Sequence, residues 1–421
     1  MMPPNVHGVR RDETPLRILW TGEFSTSHGL THGATLRLAH LARSLVRYGH
    51  SIHVLTDAEE LNRPNLTRML DQLVKEGFFT DYVVIPPPIP SPWQWRFTLP
   101  ALHPLWRRRL LAGSIKPATN ATLHHIERIA PDVCIVGSWR HWNLLPLLAD
   151  RLPVVIDWCD SYTLYHLRQV QHAMRTHHFR RIARSAWELA VLAVHEWSLR
   201  NVAAGNLFAS PADRRCFDRL SNHPERSYVL PNGVETPLQT PAHQDKIAGR
   251  LIFSGNLDFP PNVEAAIWFI DYVLPLVLIR HPHVRFVVAG QNPAPAILAR
   301  VSDRVIVAGF VTDMRQEIAK SELYVAPMVT GSGFKNKVME ALAAGTCVAA
   351  TSLAVEFMEE DLQQQLIVAS TAEQLARAIG DHLNDPRQAQ RGLSNAQSIV
   401  TDRYGWDKVA LALESIIRTI R

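Results

Sequence analysis

Cysteine is scarce and scattered. Cys134, Cys159, Cys216 and Cys347 are the four in 421 residues. They form no CxxC pair and no Cys/His cluster at zinc spacing, so neither a disulfide framework nor a zinc site is expected. Such usage fits a reducing compartment, and a cytoplasmic protein is expected. Long apolar runs are also missing. No stretch of about 18 uncharged apolar residues occurs, so no transmembrane helix is expected. The opening MMPPNVHGVRRDETP lacks the apolar core of a signal peptide. Internal repeats and low-complexity tracts are absent as well.

What remains is a chain built to fold. Hydrophobic residues make up 47% of it, ample for packed cores and too many for disorder. At about 100–200 residues per domain, the length predicts two domains, with three as the alternative. Charge is uneven. Residues 1–240 hold 27 Lys and Arg against 20 Asp and Glu, a balance of +7, while the remainder holds 17 against 19, a balance of −2. The same N-terminal stretch carries 16 of the 20 histidines. A basic half suits an anionic partner, whether a phosphate ligand, a lipid surface or nucleic acid; arginines covering a solvated surface explain it equally well.

Elements alternate along the chain. LRILWTG (16–22) reads as a buried strand. GATLRLAHLARSLVRYGH (33–50) has apolar residues at helical spacing and stops at Gly49, and SIHVLT (51–56) is the next strand. Strand, helix, strand is the βαβ unit of a parallel sheet. DYVVIPP (81–87), PDVCIVGS (131–138) and PVVIDWCD (153–160) read as further strands, and residues 206–217 and 227–235 complete this half. The Pro-rich, polar 236–248 reads as a linker. GRLIFSGNL, VRFVVAGQN, DRVIVAGF, ELYVAPM and CVAATS then recur as strands between helical patterns. The expectation is α/β, two doubly wound Rossmann-like domains facing across a cleft. Residues 15–235 form the N-terminal domain and 236–400 the C-terminal one. DRYGWDKVALALESIIRTI supplies a final amphipathic helix within 401–421.

The most informative stretch is TGSGFKNKVMEALAAGTCVAAT, residues 330–351. MVTGSGF reads as a loop between a strand and a helix over roughly 335–345. Such a junction presents backbone N–H groups and the positive end of the helix dipole. Gly331 and Gly333 permit close backbone approach, and Lys335 and Lys337 add full charge, which together suit a phosphate group. Glu340 lies about 7–8 Å further along the helix, on the face it shares with Lys337. A carboxylate there can accept hydrogen bonds from vicinal hydroxyls, so the chemistry suggested is a nucleoside diphosphate with its ribose on Glu340. A surface Lys/Glu pair after a Gly-rich turn is the plain alternative.

GSGFKNKVMEALAAGTCVAAT resembles the donor-site sequence of retaining glycosyltransferases of family 4, which have the GT-B fold. It is most similar to the subgroup reading GSGxKNKVLEAMAxGxPVVAT, which includes sugar transferases of exopolysaccharide clusters. GNLDFPPNVEAAIWFIDYVLPLVLIRHPHVRFVVAGQNP, AGFVTDMRQEIAKSELYVAPM and YVLPNGVE fall in the family's order and spacing, and the C-terminal half carries the specific part. The resemblance implies donor contacts from Gly255, Asn256, Gly331, Ser332, Gly333, Phe334, Lys335, Asn336, Lys337 and Glu340. The chain also departs from the wider family. Ser332 stands where that family often has a glutamate near the transferred sugar, as it does in the subgroup. Asn256 stands where an arginine is usual, with no lysine nearby, so diphosphate charge would fall to Lys335, Lys337 and the helix terminus.

The resemblance implies transfer of a hexosyl-type group from a nucleotide sugar to a saccharide or lipid-linked acceptor, with retention and without a metal or other cofactor. In that fold Gly29, His32, Gly33 and Arg37, at the first loop-to-helix junction, would face the donor; a capped helix start is the alternative. Asp157 and Asp160 end a buried strand, where acids face the crevice or cap the next helix. With Lys335 and Lys337 they are the catalytic candidates. His141 is a candidate acceptor contact or a structural histidine. Glu188 and Glu196, eight apart on a predicted helix, are expected on a solvated face. PPPIPSPWQWRFTLPALHPLWRRRLL (86–111) interleaves tryptophans with arginines. Residues 91–111 suit an anionic membrane surface, peripheral on the inner face, or else a packed flap. Nucleic acid is not expected, because no binding module accompanies the aromatics. A catalytically silent nucleotide- or carbohydrate-binding subunit, a nucleotide-sugar epimerase and a sugar-phosphate synthase remain alternatives.

Overall fold

A computed structural model describes residues 14–24, 33–58, 62–88, 116–177, 179–235 and 246–421. The chain divides into two compact units. The first comprises residues 1–163, 186–233 and 406–421; the second comprises 164–185 and 234–405.

The sheet of the first unit contains β1 (Arg17–Thr21), β2 (Ser51–Asp57), β3 (Asp81–Ile85), β4 (Val133–Val136), β5 (Val154–Cys159), β6 (Gly205–Phe208) and β7 (Ser227–Val229). Their order is β3-β2-β1-β4-β5-β6-β7, and every pairing is parallel. The strands are short and almost wholly buried, as expected when helices cover both faces. Helix Gly33–Arg47 follows β1 and ends in a turn closed by Gly49 at φ +91°. Opposite it lies Trp406–Ile420, with Val409, Leu413, Ile416 and Ile417 in the same core as Leu38, Leu41 and Leu45. Trp406 stacks on His40, with ring centroids 5.0 Å apart. A Cβ on Gly233 would stand 2.5 Å from the Trp406 ring.

The predicted final helix proves to be two. Arg387–Tyr404 stops at Gly405, whose extended backbone (φ −62°, ψ 137°) restarts the chain as Trp406–Ile420. The Tyr404 carbonyl accepts from the Val234 N–H at 2.6 Å, which closes the break.

The second sheet contains β8 (Ile247–Ser254), β9 (Arg285–Ala289), β10 (Val305–Gly309), β11 (Ser321–Ala326), β12 (Cys347–Thr351) and β13 (Ile367–Ala369), in the order β10-β9-β8-β11-β12-β13. It too is parallel. Each unit is therefore a doubly wound α/β layer, as the alternation of elements predicts.

After β8 the chain runs helical from Pro260 to Arg280, interrupted by a π turn at Phe269–Val273. Pro275 lacks an N–H and would clash with an ideal preceding turn, and the π turn takes up that misfit. By length and composition this segment could cross a bilayer. Here its apolar side, Ala265, Ala266, Phe269, Val273 and Val277, is buried in the unit's own core.

Candidate functional site

Strand order reverses in the second unit between β8 and β11, its topological switch point. Ligands of open α/β sheets bind at the carboxyl ends of strands there. Two loops leave those ends. The turn after β8 holds Gly255 at φ +155°, and a side chain there would collide with Asn262 (2.7 Å) and approach Lys337 Nζ (3.1 Å). The loop after β11 carries Gly331 at φ +97° and Gly333 at φ +74°, left-handed conformations that suit glycine.

That loop feeds the helix Asn336–Ala343, shorter than the predicted 335–345. Lys335 is its N-cap residue, with no side-chain capping bond. The Lys335 ammonium turns back to donate to the Ser332 carbonyl at 2.6 Å and the Gly333 carbonyl at 2.9 Å. It is buried, so its first task is to hold the loop's shape. Phe334 also serves the loop. Its ring packs 4.2 Å from that of Phe357 and 6.1 Å from that of Tyr404.

Lys337 sits differently. Its ammonium lies 4.7 Å above the Phe253 ring and donates to Asn262 Oδ1. Burial, then the charge of Lys335, pull its pKa down to about 7, against the pull of Glu340. A cation held this way gains from any anion that enters. One turn on, Glu340 is exposed by surface area, although protein crowds its carboxyl closely enough to raise its pKa by desolvation, with Lys337 and Arg315 opposing. Asn256 is exposed at the mouth of the β8 turn, and Asn336 is half-buried at the helix start. The Ser332 hydroxyl has no hydrogen-bond partner among the described residues.

Several residues that organise the loop carry no sequence signal. Asn262 bridges the two loops, donating from Nδ2 to the Asn256 carbonyl at 2.8 Å while accepting from Lys337. Arg168 grips the loop, donating to the Gly331 carbonyl at 2.8 Å and to both oxygens of Glu356 at 2.5 and 2.8 Å. Glu264 accepts from the Thr330 hydroxyl at 2.5 Å and lies 3.5 Å from Arg181. An asparagine on the following helix and an arginine some 160 positions upstream could not be picked out by spacing.

In the first unit the candidates are mostly engaged with one another. Gly29 and His32 lie outside the described residues, as do residues 91–111. Gly33 begins its helix. Arg37, expected at an open junction, is instead fully buried. It donates to Asp157 Oδ2 at 2.8 Å, the Pro231 carbonyl at 2.9 Å and Asn232 Oδ1 at 2.8 Å. Asp157 is buried with it, while Asp160 is exposed just past the left-handed Cys159 (φ +57°). His141 is buried with Nε2 3.3 Å from Asp57 Oδ1, an ion-pair distance without hydrogen-bond angles. Arg140 also reaches Asp57, from Nε at 3.1 Å. Burial pushes the Asp57 carboxyl up, but His141 and Arg140 outweigh it and bring it down to about 2.

Glu188 and Glu196 part company. Glu188 is half-buried, whereas Glu196, expected on a solvated face, is wholly buried. Its carboxylate accepts from the Ser161 hydroxyl at 3.2 Å and from Thr163 N (3.2 Å) and Oγ1 (2.5 Å). Burial raises its pKa to about 7 against those bonds. Among the described residues no group of three or more His, Cys, Asp or Glu could hold a metal ion.

Comparison with known proteins places this geometry. Residues 248–385 match the family model described as glycosyl transferases group 1. An uncharacterized 44.6 kDa protein of the cps region of Klebsiella pneumoniae is 25% identical over 193 residues, 43% of this chain and 49% of that one. The lipopolysaccharide core biosynthesis mannosyltransferase LpcC of Rhizobium leguminosarum bv. viciae is 29% identical over 140 residues, 33% of this chain and 39% of that one. The chain thus spans less than half the length of these curated relatives. Among solved structures, Anabaena HepE in complex with UDP and glucose superposes with a TM-score of 0.64 at 16% identity, covering 96% of this chain and 100% of that one. The sucrose-phosphate synthase of Thermosynechococcus elongatus gives 0.65 at 16% identity, covering 96% and 98%. These likenesses show the fold, two parallel-sheet α/β units of the GT-B class.

Proposed function

We propose that the protein transfers a hexosyl-type group from a nucleotide sugar to a saccharide or lipid-linked acceptor, with retention at the anomeric carbon. The observation that carries this reading is the pairing of Lys337 and Glu340 on one helical turn behind the glycine loop. That loop leaves the switch point of the unit that matches the group 1 family. HepE's complexes with UDP and with UDP-glucose support a nucleotide-sugar donor.

In this reading the diphosphate lies over the loop and the start of helix Asn336–Ala343, beside Gly255. Lys337 faces it, and its charge is worth most as negative charge grows on the leaving group. Lys335 keeps the loop carbonyls turned away from that anion. Glu340 accepts from the ribose hydroxyls. Ser332 offers a hydroxyl toward the sugar, where Asn256 and Asn336 add polar groups. No metal is used. The departing diphosphate takes the acceptor's proton on the same face, so no strong protein base is required. Asp160 is assigned to the acceptor side and Asp157 to holding Arg37, while the buried His141, expected as an acceptor contact, stays against Asp57 as a structural histidine. The protein works in the cytoplasm, peripheral to the inner face of the membrane when the acceptor is lipid-linked.

The test is nucleotide release from a panel of UDP- and GDP-sugars, with and without saccharide and lipid-linked acceptors, and the anomeric configuration of the product read by NMR. Acceptor-dependent release with retention is expected. Nucleotide binding without release would make this a binding subunit. An altered donor sugar without release would make it an epimerase.

A further inference from the structure

The helix Phe179–Leu199 is apolar on two sides. One side, with Leu189, Leu192 and Leu199, is partly covered by protein, and Leu199 packs on the core around Trp158 and Phe208. The other side faces water. Ala183, Ala186, Trp187, Ala190, Val194 and Trp197 are all exposed, Trp187 at 54% and Trp197 at 52%. At helical pitch these six positions fall within about 100° of arc, the width of a stripe that normally faces a core. The stripe is about four turns long, with Trp187 one turn from its start and Trp197 at its end.

Its borders are basic. From 175 to 184 the chain reads RTHHFRRIAR, with four arginines and no acid. Arg184 is exposed one turn before Trp187, and the Arg200 guanidinium lies 4.2 Å over the Trp197 ring. The helix's two acids, Glu188 and Glu196, project from its far side, and Glu196 is buried there.

We propose that this stripe docks on an anionic lipid bilayer, with the helix lying in the plane of the interface. Charge selects that occupant. A second copy pairing symmetrically across the stripe would set Arg184 and Arg200 against their counterparts, and the nearby Glu264 is already taken up by Arg181 at 3.5 Å and the Thr330 hydroxyl. An anionic surface instead takes up the arginines while the tryptophans enter the headgroup layer, the depth these side chains prefer. The stripe uses none of residues 91–111, and the proposal stands whether or not the chain transfers sugar.

Co-sedimentation of the full chain with phosphatidylglycerol-containing and purely phosphatidylcholine vesicles, at low and high salt, tests it. Binding to the anionic vesicles, weakened by salt, is expected. Trp187→Ala/Trp197→Ala should lower the partition coefficient about tenfold or more, with far-UV circular dichroism and the melting temperature unchanged, since both rings are exposed. Arg184→Glu should weaken anionic binding alone. Failure to bind anionic vesicles at low salt overturns the proposal. So does binding that the double variant leaves intact, which would move the membrane contact elsewhere. A wild-type dimer in sedimentation velocity that the tryptophan substitutions dissociate would make a second copy the occupant and overturn it as well.

Discussion

The two units share a topology yet treat their charged groups in opposite ways. In the first, Arg37, Asp57, Asp157 and Glu196 are buried and face partners within the unit, although Arg37 Nη2 and both His141 ring nitrogens have no hydrogen-bond partner among the described residues. Arg37 is spent on Asp157 and two further oxygens, Asp57 holds Arg140 and His141, and Glu196 is closed in by Ser161 and Thr163. In the second, the corresponding edge keeps a carboxylate in water and a cation with no carboxylate hydrogen-bonded to it among the described residues. Burial pulls the pKa of Lys337 down, Glu340 meets water, and the Ser332 hydroxyl has no hydrogen-bond partner among the described residues. Charge that is internally compensated supports a fold, and charge that is not is available to a ligand. On the proposed function, the first set takes scaffold roles and the second is left for the donor, although sequence made both look like sites.

The sharpest way to break that contrast is to cut the buried pair. Arg37→Ala leaves Asp157 as a buried carboxylate without its cation, which should cost about 3–5 kcal/mol of stability. Denaturant unfolding followed by circular dichroism measures this, and nucleotide affinity of the folded protein should stay as in the wild type. A stable variant that loses nucleotide would return Arg37 to the donor site.

Glu196 should give the next largest effect, visible in pH. Its folded pKa, about 7, stands above its ordinary value of 4.5. Between those values the folded state keeps a proton that the unfolded chain has released, so stability falls as pH rises through this window. The full loss is on the order of 3 kcal/mol. Glu196→Gln should remove the slope and be the more stable protein at pH 8. Parallel stability curves for the two proteins from pH 5 to 8 would show that Glu196 ionises without penalty.

Glu340→Ala should act on the other side of the comparison. Loss of hydrogen bonds to a charged group predicts nucleotide binding weaker by about 1.5–3 kcal/mol, with little change in melting temperature because the side chain is exposed. An unchanged affinity would remove Glu340 from the ribose.

The glycine loop and the helix it feeds were readable in the sequence because their parts are contiguous. Glycines, lysines and the glutamate sit within ten positions, and helical rise alone sets their spacing. The parallel sheets were readable from alternation. What could not be read depends on contacts between distant positions. Whether Arg37 points out or in is decided by Asp157 and Asn232, which arrive only when the sheet closes. Lys335 and Lys337 look equivalent in GFKNK, yet one meets carbonyls and the other Asn262. Glu188 and Glu196 share a helical pattern, and only the turn at Ser161 buries the second. Gly405 was visible as a glycine, but its role as a helix break depends on Val234.

Lys337 offers the most direct test of the central claim, that this loop binds a diphosphate. With a folded pKa of about 7 it must take up a proton to meet the anion above neutral pH. Calorimetric titration of uridine and guanosine diphosphates into the wild type and Lys337→Met, at pH 6.5 and 8.5, isolates the effect, since the nucleotide's own titration is common to both proteins and cancels. At least one of the two nucleotides should bind the wild type. Relative to the variant, the wild type should lose up to about 25-fold in affinity across that range, following the protonated fraction of the lysine. Identical pH slopes for the two proteins, or no binding of either nucleotide, would contradict it.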